Sequence, residues 1–574
     1  MLKGTPVSTG QALAKALILT EAPPEITTTN IPSETTESEI KRFNEAIHSS
    51  QAQLETLYET SKKTLGEEAE IIKAQISMLS DPVIKEEIET CIRESLMNAG
   101  HSTTFVLDSQ IEILSAIEDE YIRERAIDLS DIKNRLLHNL ADTPAGSLLE
   151  LADLIMEKEY ILICENLTPS QTANLNPRHV KGIICKSGGK TSHAAIMARS
   201  LGIPAIMGCK DIPFADGDIV FIDGSKGHAY TVTDENEIKR LQDEINQIMK
   251  LKAELMALKD AEIGKPTSLY ENVGSINEYQ DLADGIGLFR TEFLYMDRKT
   301  PPSEDTQFEI YKKTLERLNG KKVVFRTFDI GGDKEVSYLK IPKEDNPFLG
   351  WRAVRICLDM PELFQSQLRA LLRASAFGKL SIMIPMISSV QEIRAVRGVF
   401  EEVKAELRQK DIPFDHKTEL GIMIEIPSAA ICADSLIKES DFFSIGTNDL
   451  IQYTVAVDRG NDKVSKYYDF YNPAVLRLVK MTIDASHSVG KTTSMCGEAA
   501  GDPVASLLLL GLGLDGFSVS ASILPKIKKV IMDADMEYAK NIAEEAMKMD
   551  SGEEVRGFLE GKLADMGLDY LVWL

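Results

Sequence analysis

The sequence predicts a multidomain α/β protein, with a C-terminal (β/α)8 barrel and an N-terminal β/α domain interrupted by an inserted all-α segment. Three observations carry this prediction. Eight short apolar runs alternate with helical patterns through the C-terminal half. Strand signals at the N-terminus stop near residue 20 and return only from residue 155. Between them apolar residues recur at helical spacing, and Gly and Pro become scarce. A chain of 574 residues is also too long for one core, so roughly two to four domains are expected.

Taken in order, residues 1–20 read as strand and turn around Gly4-Thr5-Pro6-Val7-Ser8-Thr9-Gly10. From Ser33 to Leu140 the spacing of Ile40, Phe43, Ile47, Leu54 and Leu57 predicts helices, opened by capping residues in Ser33-Glu34-Thr35-Thr36-Glu37. Acidic residues outnumber basic ones there by about two to one, giving an acidic helical surface. Strands return at Tyr160–Cys164, Gly182–Cys185 and Ile219–Ile222. Glu235 to about Ala261 lacks Gly and Pro and reads as one charged helix linking domains. Beyond it the candidate strands are Thr267–Val273, Gly285–Phe289, Val323–Phe328, Leu380–Pro385, Gly421–Ile426, Phe442–Ile445, Thr492–Met495 and Gly516–Val519. Interleaved with helices, they suggest a closed barrel; a doubly wound open sheet is the competing arrangement.

Composition narrows the function. A net charge of −25 argues against nucleic-acid or anionic-membrane binding. The seven cysteines are scattered, without CxxC or Cys/His ligand spacing, so neither a disulfide framework nor a structural zinc site is expected. The start, Met1-Leu2-Lys3-Gly4-Thr5-Pro6, lacks a signal-peptide core, and the longest apolar run, Ala505 to Leu514, is too short to span a membrane. The expected location is cytoplasmic.

Two segments carry chemistry. In the first, Ser187-Gly188-Gly189-Lys190-Thr191-Ser192-His193 runs into a helical stretch, Ala194–Arg199. Paired glycines let the backbone approach an anion, and a helix start offers amides and a positive dipole end. A helix N-terminus disfavours imidazolium, so His193 is suited to act as a neutral nucleophile. Of the eight histidines only His193 occupies such a turn; the other seven read as structural. The second segment is the set of barrel strand ends, where a barrel enzyme builds its site. Arg290 and Arg326 suit bidentate contacts to phosphate or carboxylate. Glu425 and Asp449 are hard oxygen ligands suited to Mg2+, and Cys496 is a candidate acid. Gly331-Gly332-Asp333-Lys334 adds a loop with one cation. The set suits a small, highly anionic substrate held by cations and a metal.

With these segments the chain resembles, over essentially its whole length, the Enzyme I family of the bacterial sugar phosphotransferase system, the phosphoenolpyruvate–protein phosphotransferases. The specific stretches are SGGKTSHAAIMARSLGIPAIMG (187–208), GIGLFRTEFLYM (285–296), FRTFDIGGDK (325–334), GIMIEIPSA (421–429), GTNDLIQYT (446–454), DRGN (458–461) and MCGEAAGDP (495–503). The resemblance implies that His193 is phosphorylated from phosphoenolpyruvate, with Thr172 orienting its ring. It implies that Arg290, Arg326 and Arg459 contact the substrate, helped by Lys334, Arg352 and Asn448. Glu425 and Asp449 would ligate Mg2+, and Cys496 would protonate enolpyruvate. The acidic insertion would dock the phosphocarrier protein HPr, the histidine domain would swivel, and the barrel would form a homodimer. The domains expected are 1–30 with 145–233 (phosphohistidine), 31–144 (HPr-binding), 234–261 (linker helix) and 262–574 (barrel). Lys190 receives no role. Two alternatives remain: a dikinase sharing both modules, although no nucleotide-binding unit is apparent before His193, and a non-catalytic scaffold.

Overall fold

The computed structural model describes residues 1–19, 26–28, 30–65, 70–117, 120–141, 159–167, 171, 175–189, 192–296, 298, 300–331, 336, 338–339, 341–342, 344–461 and 463–574. Thr172, Lys190 and Lys334 lie outside the described residues, and of His193 only the backbone is described. The chain divides into two compact units, Met1–Met249 and Lys250–Leu574. Among the described residues no helix is long and apolar enough to cross a membrane.

The first unit holds an eight-stranded sheet in the order β1-β8-β7-β3-β4-β5-β6-β2. Its strands are β1 (Leu2–Lys3), β2 (Thr5–Ser8), β3 (Gln11–Leu19), β4 (Tyr160–Cys164), β5 (Val180–Cys185), β6 (Ala205–Met207), β7 (Ile219–Asp223) and β8 (His228–Thr231). The central pairs β3–β4, β4–β5 and β5–β6 are parallel, and the flanking pairs are antiparallel. Every residue of β4 is buried, as expected of a strand covered on both faces. Among the described residues between β3 and β4 stand five helices, α1 (Thr36–Leu65), α2 (Glu70–Leu79), α3 (Pro82–Glu94), α4 (Ala99–Ser115) and α5 (Glu120–Leu140). They enclose their own core of Ile40, Phe43, Leu54, Ile88, Leu107 and Leu136. Asp81 and Asn98 cap α3 and α4 by accepting from the amides of Val83 and His101.

In the second unit, β9 (Ser268–Val273), β10 (Gly285–Arg290), β11 (Lys322–Arg326), β12 (Leu380–Ile384), β13 (Glu419–Ile424), β14 (Phe443–Ile445), β15 (Thr493–Met495) and β16 (Gly516–Val519) form a closed barrel. All neighbours are parallel, and β16 pairs with β9, which eliminates the open doubly wound sheet. Strand alternation separates two packing faces. Phe289, Phe325 and Ile382 point outward into the core beneath the helices, while Leu288, Val324, Met383 and Met423 fill the barrel with Phe442 and Cys496. The same period of two carries Arg290, Arg326 and Glu425 onto the inner face at the C-terminal end, each two residues beyond an inward apolar side chain.

Candidate active site

In the first unit, the loop between β5 and the helix His193–Ser200 contains Gly188 at φ +101. A Cβ there would sit 3.2 Å from Met207 Sδ and 3.3 Å from Ser192 Oγ, so the glycine serves both the dihedral and the close approach. Ser192 is the N-cap, its Oγ accepting from the amide of Ala195 at 3.4 Å. His193 therefore occupies the first helical position, at the positive dipole end.

In the second unit, the strand ends assemble a buried ionic network. Arg326 Nη2 lies 3.0 Å from Asp329 Oδ2 and pairs with Glu292 Oε1. Arg352 Nη2 lies 3.1 Å from Asp329 Oδ1 and 3.4 Å from Asp449 Oδ2, while Arg459 Nη1 stands 3.9 Å from Asp449 Oδ1. Glu425 Oε1 accepts from the amide of Met386 at 2.6 Å. That donor is aimed by a left-handed backbone, φ +60 at Met386, a conformation costing a non-glycine residue about 1–3 kcal/mol. Gly446 leaves room for the carboxylate, since a Cβ there would meet Glu425 Oε2 at 3.0 Å. Asn448 is held on both sides: its Nδ2 donates to Glu498 Oε1 at 3.0 Å, and its Oδ1 accepts from the Glu498 amide at 3.1 Å.

Several polar atoms here are buried without a hydrogen-bond partner among the described residues: Nε of Arg290, Arg326 and Arg352, and Oδ1 of Asp449. Buried donors left unpaired are costly, and three guanidinium donors at one mouth mark a place for an anion.

Against known families, residues 3–125 match the N-terminal domain of PEP-utilising enzymes, 156–227 the mobile domain, and 244–536 the PEP-binding domain. A phosphoenolpyruvate-protein phosphotransferase from Haemophilus influenzae is 45% identical over 99% of this chain and 100% of its own length. One from Staphylococcus carnosus is 44% identical, covering 97% and 98% of the two chains. The chain belongs to the PEP-utilising enzymes.

Electrostatics in this family member follow from burial. Desolvation opposes the charge of Arg326 and Arg352, but Asp329 and the neighbouring carboxylates outweigh it and hold both guanidiniums firmly charged. Burial raises the Glu425 carboxyl above its ordinary range, and the nearby charges of Asp449 and Asp329 raise it further. No cluster of three or more His, Cys, Asp or Glu poised for a metal occurs among the described residues. The donor set is instead two buried carboxylates: Asp449, whose Oδ1 has no hydrogen-bond partner among the described residues, and Glu425, which burial and the neighbouring carboxylates hold above its ordinary range despite Arg326 and Arg352. That set fits Mg2+, which takes one or two carboxylates and completes its shell with water and substrate oxygens. Burial pushes the Cys496 thiol up to about 11, which keeps it protonated at neutral pH.

The structure thus brings together Arg326, Arg352, Arg459, Glu425 and Asp449 in one network, with Asn448 and Arg290 on adjoining strand ends. His193 lies in the other unit. Sequence reading gave no function to Asp329, Glu292 and Glu498, which hold the arginines and Asn448 in place. A signal for Asp329 was present: it follows Arg326 by three residues, just past the end of the strand.

Proposed function

We propose that this chain is the phosphoenolpyruvate–protein phosphotransferase of a sugar phosphotransferase system, phosphorylating His193 and passing the phosphoryl group to a histidine of HPr. What supports this most is the set of buried guanidinium Nε donors of Arg290, Arg326 and Arg352, without hydrogen-bond partners among the described residues, at the barrel mouth that also holds Glu425 and Asp449. Arg290, Arg326, Arg352, Arg459 and Lys334 bind and neutralise the phosphate and carboxylate of the substrate, and Asn448, fixed by Glu498, orients it. Glu425 and Asp449 hold Mg2+, which supplies charge neutralisation on the substrate oxygens when bound. An imidazole nitrogen of His193, oriented by Thr172, attacks phosphorus in line; the bond from phosphorus to the enol oxygen breaks, and its electron pair leaves with the enolate. The Cys496 thiol gives its proton to the enolate carbon, forming pyruvate, and regains one from solvent.

The organisation proposed with this reading assigns 1–30 and 145–233 to a swivelling phosphohistidine domain, 31–144 to HPr docking, 234–261 to a linker and 262–574 to substrate binding and homodimer formation. The acidic face of the insertion suits a basic carrier. The protein acts in the cytoplasm, where phosphoenolpyruvate and the carrier are found.

The test is incubation with labelled phosphoenolpyruvate, with and without Mg2+, followed by phosphosite mapping. Label is expected on His193 with stoichiometric pyruvate, lost in His193→Ala and after chelation. Labelling of His193 from ATP, or no pyruvate in the presence of HPr, overturns the reading.

A further inference from the structure

The sequence scatters its cysteines, but the fold does not. Cys164 ends β4 and Cys185 ends β5, 21 residues apart in the chain and register partners in the sheet. Their Sγ atoms stand 3.3 Å apart, inside a buried cluster shared with Ala194 and Ala195 of the His193 helix. Neighbouring strands lie about 4.8 Å apart, within the window of roughly 4.4–6.8 Å between Cα atoms that a disulfide spans, but toward its short end. A bond formed there fits that window.

Cys164 lines a cavity of about 680 Å³ with Ile111 and Ile127 of the inserted helices and Ile18, Asn166 and Phe214 of the sheet domain. The two strand ends are also tied directly to the histidine loop: the amide of Lys186 donates to Cys164 O, and that of Ser187 to Glu165 O. Ser187 then leads into Gly188, Gly189 and the Ser192 cap. Backbone shifts that accompany drawing the sulfurs from 3.3 Å to the bonded distance of about 2 Å pass through these ends to the loop they carry.

We propose that Cys164 and Cys185 form a reversible dithiol–disulfide site that senses peroxide and slows phosphoryl transfer through His193. Cys164 Sγ attacks one oxygen of hydrogen peroxide; the O–O bond breaks, one water leaves, and Cys164 becomes a sulfenic acid, two electrons having passed to the peroxide. Cys185 Sγ then displaces the hydroxyl from Cys164, forming the S–S bond and a second water. A dithiol reductant returns the two electrons and restores both thiols. Cys209, whose amide donates to Cys185 O, is the third thiol nearby; its own proton is held by burial, which raises it to about 11. It is the competing partner the experiment must resolve.

The slowing rests on the phosphohistidine reading of His193, whereas the bond does not, so the two are measured separately. Full-length reduced protein is treated with hydrogen peroxide, denatured with a thiol trap, and mapped without reduction. A Cys164–Cys185 crosslinked peptide is expected, with the loss of two hydrogens from the intact mass, reversed by dithiothreitol and absent in Cys164→Ser and Cys185→Ser. Both cysteines recovered as trapped thiols, a crosslink to Cys209, or irreversible sulfinic acids would sink the proposal. In parallel, labelling from phosphoenolpyruvate should fall by on the order of tenfold to a hundredfold in oxidised wild type, the range expected of an ångström-scale misplacement. Dithiothreitol should restore it, and Cys185→Ser should keep its own rate under peroxide. An equal fall in Cys185→Ser, or crosslinked protein at full rate, also overturns it. If reduced protein takes no label at all, the function reading fails while the crosslink still decides the pair.

Discussion

Two side chains at the barrel mouth separate binding from chemistry. Cys496 is buried, and its thiol, raised to about 11, is a proton donor at neutral pH. A donor acts in its protonated form, so its contribution is complete well below that value and disappears as pH rises through it. Cys496→Ala is therefore expected to lower kcat for pyruvate formation by about 10²–10⁴-fold and leave KM for phosphoenolpyruvate near wild type; a raised KM at unchanged kcat would show a packing role instead. Asp329 acts differently, since it bridges Arg326 and Arg352 from two oxygens. Asp329→Asn leaves two buried guanidiniums short of a counter-charge, and removing one partner of a buried pair costs about 3–5 kcal/mol. Urea denaturation should show that loss, with a higher KM because the arginines no longer hold their geometry. The conservative Asp329→Glu should recover part of both.

At the scale of elements, the barrel was legible because its strands are buried on both sides and read as continuous apolar runs. Gly516–Val519 has the bounds the sequence predicts, and Leu380–Ile384 differs by one residue. Larger differences occur where the site begins: the run predicted as Val323–Phe328 stops pairing at Arg326, and that predicted as Gly421–Ile426 stops at Ile424. There the backbone leaves the ladder to aim polar side chains, which local propensity does not encode. The site itself was readable as residue types following apolar runs. The pairing of Arg352 with Asp329 and Asp449 was not, because it joins residues far apart in the chain; only the Arg326–Asp329 spacing is local. The outward face of β11 offers a test of the barrel core. Phe325 is fully buried, its ring centroid 4.9 Å from both Phe289 and Tyr311. Phe325→Ala should cost about 3–5 kcal/mol, read from the urea midpoint at unchanged slope. A loss below about 1 kcal/mol would mean that the neighbouring rings collapse into the gap.

For the whole molecule, two compact units with separate cores imply that substrate binding stabilises one of them first. Both tryptophans, Trp351 and Trp573, belong to Lys250–Leu574, so indole emission follows the barrel unit alone. The helices of the insertion contribute far-ultraviolet ellipticity from the other unit. A ligand that binds only the folded barrel adds about 2.7 kcal/mol at a hundred times its Kd. In His193→Ala, which cannot be phosphorylated, phosphoenolpyruvate with Mg2+ should therefore raise the midpoint reported by tryptophan emission more than that of the ellipticity component from Met1–Met249. Each of Arg326→Ala and Glu425→Ala should abolish the shift, because they remove an anion donor and a metal ligand. Replacing Mg2+ with a chelator should abolish it in the wild type, since the substrate then loses the cation that Glu425 and Asp449 would hold against it. No shift in the tryptophan component would contradict a site at the barrel mouth.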